Sequence, residues 1–294
     1  MAQQKIELRK IRDFSENLND TLLFIRQNFK PLLLSFLGIA GVFMLLAAIT
    51  SGLYQGEMGG FFEQLIKGNA GVNDNPLQLF SGQYFLVLFL SWLNIVAMQV
   101  TIVSYIKVYE TNNGQTPSID QVWQVFRTYI VPVFFYTLIT SILMALGLVL
   151  CIAPGVFLLV AFTPLPAIVI LEEQSFGAAF NRCFILLKNN FWISLGLYLL
   201  VYVIYSFSSG IISTVIGGIA GVIYYFTTKS INNTVAVVTS ILSIFSFVFY
   251  IIYYVSVVLH YYNLAERFDG TGMMRKLDTI GDTPQNFDNI QEQY

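Results

Sequence analysis

An all-α, polytopic transmembrane helical bundle of about six spans is the fold class this sequence predicts, and three observations predict it. Of 294 residues, 56% are hydrophobic and only 11% are charged, against about 25% charged in soluble domains. Six stretches are long and apolar enough to cross about 30 Å of hydrocarbon at about 1.5 Å per residue. One amphipathic pattern also recurs ahead of the first, third and fifth of them.

The six stretches are 31–53, 80–106, 129–152, 155–171, 191–222 and 235–260. The first begins only after thirty residues and has no small-residue cleavage site, so it reads as a retained span. The second carries Asn94 and Gln99 in "LSWLNIVAMQV", polar side chains that either bond between helices or line a polar groove. Pro154-Gly155 reads as a tight outer hairpin between the third and fourth. The fourth is short, and Pro164 and Pro166 in "AFTPLPAIVIL" predict a kink or a partly unwound turn. The fifth is long enough to tilt, and its Ser213, Gly217 and Gly221 repeat every fourth residue, a spacing that favours close internal helix packing. The sixth closes on His260-Tyr261-Tyr262, which reads as an interfacial aromatic belt.

The recurring pattern is clearest in "SFGAAFNRCFILLKNNFW". Phe176, Phe180, Phe184, Leu187 and Phe191 share their spacing with Phe14, Leu18, Leu22, Ile25 and Phe29, and with Gln115, Ile119, Trp123, Phe126 and Ile130. Intervals of 4, 4, 3 and 4 return to one helix face. Arg26, Arg127 and Lys188 each follow the fourth stripe position, and Pro31 matches Pro132. "QTPSID" reads as a helix start with Thr116 as cap and Pro117 at the first position. Three repeats of an interfacial helix plus a transmembrane hairpin follow, at about 14–106, 115–171 and 176–260, within one membrane domain spanning 1–277. In this arrangement the helices brace the hairpins on the membrane surface, with Arg26, Arg127 and Lys188 as lipid-headgroup contacts. The polar tail 278–294 is expected to be disordered.

Thirteen of the fifteen lysines and arginines fall on one side of this topology, with only Lys67 and Lys229 on the other. The positive-inside rule makes both termini cytoplasmic. The net charge of −2 comes with no basic stripe, so no nucleic-acid partner is indicated. Cys151 and Cys183 lie at opposite membrane faces, too far apart for a disulfide. Asn232-Asn233-Thr234 matches a glycosylation sequon that reads as chance.

Catalytic chemistry finds little to stand on. No span carries an ionisable residue away from its ends, which lowers the case for proton-coupled transport. The single histidine, His260, cannot build a multi-histidine metal site, and any serine–histidine or cysteine–histidine pair would have to use it. Glu172 and Glu173 read as a membrane boundary that favours the following helix N-terminus. No phosphate loop or dinucleotide motif is present, and no cofactor is expected.

The stretch "APGVFLLVAFTPLPAIVILEEQSFGAAFNRCFILLKNNFW" resembles a broad bacterial six-span family that includes the membrane domain fused to some glycerophosphodiester phosphodiesterases. Pro154-Gly155, Leu171-Glu172-Glu173 and Phe191-Trp192 carry the likeness, with "FSENLNDTLLFIRQNFKPLL" and "YYNLAERFDGTGMM" as weaker matches. Cys183 departs from an expected serine, and no phosphodiesterase domain follows. The resemblance implies a six-span fold in a bacterial cytoplasmic membrane and brings no catalytic residue with it.

The function expected is therefore non-enzymatic. The protein would organise membrane lipids, or a membrane or cytoplasmic protein partner. The alternative is a carrier or flippase for an amphipathic lipid, with Asn94 and Gln99 lining its path. A lipid-modifying enzyme would need clustered polar side chains that the sequence scarcely supplies.

Overall fold

A computed structural model describes residues 6–66, 81–227, 233–270 and 274. The chain runs as α1 (Phe14–Ser35), a π-helical turn (Phe36–Ala40), α2 (Gly41–Ile66), α3 (Gly82–Thr111), α4 (Ile119–Leu150), α5 (Ile152–Phe162) and α6 (Leu165–Leu171). It continues as α7 (Phe176–Leu187), α8 (Phe191–Thr227), α9 (Asn233–Leu242), a 3₁₀ stretch (Ser243–Phe249) and α10 (Tyr250–Asp269). Among the described residues, six helical segments are long and apolar enough to cross a membrane: Phe14–Gly56, Gly82–Thr111, Ile119–Leu150, Ile152–Leu171, Phe191–Ile219 and Ala236–Asp269. Lys67, Lys229, Asn232 and the tail 278–294 lie outside the described residues.

The three amphipathic stretches do not share one structure. Only α7 is a separate helix. It ends where Lys188 leaves the helical region (ψ 127°) and Asn189 takes a left-handed φ of +64°. The first stretch runs without a break through the π turn into α2, with Pro31 inside the helix, and the second runs straight through Pro132 in α4. A proline costs a helix one hydrogen bond, which a membrane helix absorbs, whereas a left-handed residue ends it. The stripes also meet different surroundings. Phe14, Leu22 and Phe29 are exposed and Phe126 is buried, while Phe180 meets Phe162 of α5 at a tilt and Phe184 meets it edge-on. The start of α4 also differs from the expected Thr116 cap. Ser118 caps it, accepting from the Gln121 N–H at 3.3 Å, while the Gln121 side chain accepts from the Ser118 N–H at 3.0 Å. This reciprocal pair satisfies two otherwise orphaned donors.

In α1 the usual polarity of a soluble helix is inverted: Asn17, Thr21 and Asn28 are buried while Leu22, Leu23 and Phe29 face outward. The inward amides have partners on other helices. Ser256 of α10 donates to Asn17 Oδ1 at 2.8 Å, and the Tyr105 hydroxyl of α3 donates to Asn28 Oδ1 at 3.2 Å. Just before α1, the Arg12 N–H donates to Asn263 Oδ1 at 2.9 Å, and Asn263 Nδ2 donates back to the Arg12 carbonyl at 3.0 Å. The two terminal segments therefore share one end of the bundle. Further along, α2 packs on α9. Gly52 makes that contact close, since a Cβ there would meet Val237 Cα at 2.6 Å.

The hairpin between the third and fourth spans turns at Cys151, whose extended backbone (φ −168°, ψ 144°) separates α4 from α5. Gly155 lies in the first turn of α5, where an added Cβ would meet the Leu148 side chain at 2.5 Å. The fourth span then breaks at Thr163-Pro164, because Pro164 and Pro166 deny the backbone two donors out of three residues.

Candidate functional site

At the middle of α3 and of the broken fourth span the helices leave a cavity of about 540 Å³. The α3 helix contributes Trp92 and Gln99, α4 contributes Thr137 and Thr140, and the α5–α6 break contributes Thr163 and Pro166. Tyr198 and Tyr202 of α8 and Tyr253 of α10 close the remaining wall. Ile95, Leu199 and Tyr202 line it and are exposed on the outer surface, so the opening is lateral, between the spans. The volume and mixed lining are those of a small-molecule site: mostly apolar, with a few polar groups.

The polar groups divide into two kinds. Thr137, Thr140 and Thr163 donate their hydroxyl protons to the carbonyls of Val133, Tyr136 and Leu159, four residues back, at 2.8, 3.0 and 2.7 Å. What they leave for a ligand is lone pairs. Gln99 Nε2 donates to the Tyr250 hydroxyl at 3.1 Å. In contrast, Trp92 Nε1 and the Tyr198 hydroxyl are buried behind the wall, and neither has a hydrogen-bond partner among the described residues. A buried donor left unmade costs about 1–3 kcal/mol.

The two polar residues picked out in the second span therefore part company. Gln99 lines the cavity, whereas Asn94 does not. Asn94 is buried with its Oδ1 unpartnered. Five residues at about 100° each put it on the far side of α3. Ser213 meets Ser246 at 3.4 Å, but a Cβ added at Gly217 or Gly221 would meet nothing within 4 Å, so only the serine of that stripe makes an internal contact and its two glycines pack against nothing described.

The end that holds the termini is electrostatically dense. Glu110 accepts from Arg9 Nε at 2.7 Å and from the Tyr262 hydroxyl at 2.6 Å. Glu172 accepts from Arg182 Nε at 3.0 Å and from the Tyr261 hydroxyl at 2.8 Å, while Arg182 also pairs with Asp269. Burial alone would lower the Arg182 guanidinium, but its hydrogen bonds to Asp269 and Glu172 outweigh that and raise its pKa. Glu173 accepts from Lys107 Nζ at 2.6 Å, which holds its carboxyl below the usual range. Glu172 and Glu173, expected to mark the membrane boundary and favour the next helix N-terminus, thus also join α3, α7 and α10. Arg26, Arg127 and Lys188 stand apart: their side chains are exposed and make no ion pair among the described residues.

His260 is a core residue, not part of an interfacial belt. Its Nε2 lies 2.8 Å from Ser194 Oγ, both residues are buried, and the Tyr198 ring meets the imidazole edge-on at 5.5 Å. This serine–histidine contact clamps α8 to α10. Among the described residues no carboxylate bonds the imidazole, and Ser194 does not line the small cavity that His260 does, so this pair lacks the orienting acid and the access of a nucleophilic serine–histidine pair. Among the described residues no three His, Cys, Asp or Glu side chains converge where a metal ion would sit.

Sequence reading passed over the two residues that give the cavity its character. Trp92 and Tyr198 sit on separate helices, and neither forms a motif. The available signal was the run of aromatic polar residues Tyr198, Tyr202, Tyr250, Tyr253 and Tyr254 in the last two spans. Comparison of the chain with protein-family models, curated proteins and solved structures gives no match in any of the three.

Proposed function

We propose that this is a non-enzymatic integral membrane component that takes a lipid from the bilayer into its lateral cavity and organises lipids or a protein partner around itself. The observation that carries this reading is the 540 Å³ cavity between the spans, which opens sideways and has a mostly apolar wall with Gln99 and three threonines in it. Arg26, Arg127 and Lys188, exposed and unpaired, suit anionic headgroups at the boundary. The uneven distribution of lysine and arginine supports a cytoplasmic location for the shared end, and the resemblance given above supports a bacterial cytoplasmic membrane. Native mass spectrometry of the protein, gently extracted from its own membrane, tests the proposal. A lipid or a partner protein retained at fixed stoichiometry is expected, and a bare polypeptide overturns it.

A second reading, a lipid carrier, is favoured by one observation: the proline break of the fourth span forms part of the cavity wall through Thr163 and Pro166. A broken helix beside a midplane site is how carriers expose backbone to a substrate. Reconstituted vesicles would show accelerated lipid flipping over protein-free ones, and equal rates would remove this reading.

A further inference from the structure

A second cavity lies at the end that holds the two terminal segments. It measures about 500 Å³, within the range of small-molecule sites, and shares no lining residue with the lateral cavity between the spans. Arg9, Glu172, Arg182 and Asp269 line it, along with Ala178 and Tyr261. We propose that this cavity binds a zwitterion in which a primary ammonium is joined by a short chain to a phosphate or carboxylate, with the oxyanion on Arg9 and the ammonium on Glu172 and Asp269.

The charged groups are reachable, and each has bonding capacity to spare. The Arg9 side chain is 39% exposed. Glu110 takes its Nε–H, and its guanidinium carbon lies 5.8 Å from the centre of the Tyr262 ring. Those contacts hold the group and leave its two terminal nitrogens without a hydrogen-bond partner among the described residues. Such a fork matches the paired oxygens of a phosphate or carboxylate. On the acidic side, Glu172 uses Oε1 for both Arg182 and Tyr261, and Asp269 uses Oδ2 for Arg182. Glu172 Oε2 and Asp269 Oδ1 accept nothing among the described residues, and these side chains are 19% and 31% exposed. Arg9 pairs with neither of these carboxylates, so the cavity keeps two separate poles.

Charge and donor count select against simpler ligands. Arg9 is balanced by Glu110, while the single cation Arg182 stands against both Glu172 and Asp269. The acidic pole therefore holds one negative charge in excess. An anion with no cation of its own meets Arg9 at one pole and repulsion at the other. A metal ion is poorly served, because among the described residues no three His, Cys, Asp or Glu side chains converge. Choline has the right charge but no N–H for the two free oxygens, whereas a primary ammonium brings three donors. Nor does the wall form an aromatic cage, since Tyr261 is its one ring among the described residues.

A membrane aminolipid and a free amino compound present the same two groups, and the test separates them. Full-length protein in detergent is titrated, by native mass spectrometry, with dioleoylphosphatidylethanolamine, dioleoylphosphatidylcholine and dioleoylphosphatidylglycerol, then with phosphoethanolamine and glycine. The ethanolamine lipid should bind about tenfold more tightly than the other two lipids. Arg9→Gln and Asp269→Asn should each weaken that binding about tenfold. Asparagine still offers Arg182 an acceptor, which spares the local contact. Ala178→Trp fills the cavity from an exposed position and should abolish binding. Lys10→Gln, which removes a cation paired with Glu16 outside the cavity, should leave it unchanged. Binding of the ethanolamine lipid alone assigns the site to a membrane lipid, and binding of phosphoethanolamine or glycine assigns it to a free compound; either supports the proposal. Choline or glycerol lipid held as tightly at a site that Ala178→Trp blocks overturns it. So does binding indifferent to both charge variants, binding weakened equally by Lys10→Gln, or the absence of any probe whose binding Ala178→Trp blocks.

Discussion

Single side chains decide how closely these helices approach. A Cβ at Gly155 would lie 2.7 Å from Leu148 Cα, a backbone atom that cannot swing aside, whereas one at Gly210 would meet nothing within 4 Å. Gly155→Ala should therefore destabilise the protein by about 1–3 kcal/mol, seen as a lower melting temperature in detergent, while Gly210→Ala leaves it unchanged or higher. Arg12 is a second such point. Its guanidinium is fully buried, pairs with Asp20 at 2.8 Å, and donates to the carbonyls of Glu7, Leu8 and Lys10. Arg12→Met strands those groups and should cost about 3–5 kcal/mol in the same melt. The cysteines make a third test. Cys151 is exposed, while burial pushes the Cys183 thiol up from 9.0 to about 12. A thiol whose pKa is raised on folding adds stability below its unfolded pKa and loses it as pH climbs through the raised value. Maleimide at neutral pH should label one cysteine per native chain and two after denaturation, and two labels on the native chain would contradict the burial.

At the scale of elements, similar stretches of sequence produce different helices, and the cause is local. The α7–α8 break depends on the left-handed Asn189. Asn189→Gly should be neutral or mildly stabilising, because glycine enters that region freely. Asn189→Ile should cost about 1–2 kcal/mol, read as a drop in melting temperature. An unaffected isoleucine variant would show that the break has another origin. The same comparison shows what could be read from sequence. The apolar lengths identify six spans, and Pro164 marks the break in the fourth, since both follow from backbone hydrogen bonding in lipid. Periodicity places five residues on one face of a helix, but whether that face meets lipid or protein depends on neighbours from distant parts of the chain. That is why Phe29 is exposed and Phe126 buried at nearby stripe positions. Gln99 was visible as an intramembrane polar residue, whereas Trp92 and Tyr198 become a site only once α3 and α8 face each other.

For the whole molecule, the six spans among the described residues and the Arg12–Asn263 clamp put the segment before α1 and the end of α10 at one end. Reporter fusions at the two termini should give the same topology signal, and the lysine and arginine distribution predicts the cytoplasmic one. Opposite signals would contradict the clamp. The pairing of α1 with α10, and of α2 with α9, also has a consequence for the order of synthesis. A membrane protein made from its N-terminus inserts its first helix long before its last exists. Here Asn17 waits in that first helix for Ser256, and Gly52 waits for Val237. The first span to be made must remain beside the insertion machinery, its Asn17 amide unmet, until the sixth arrives.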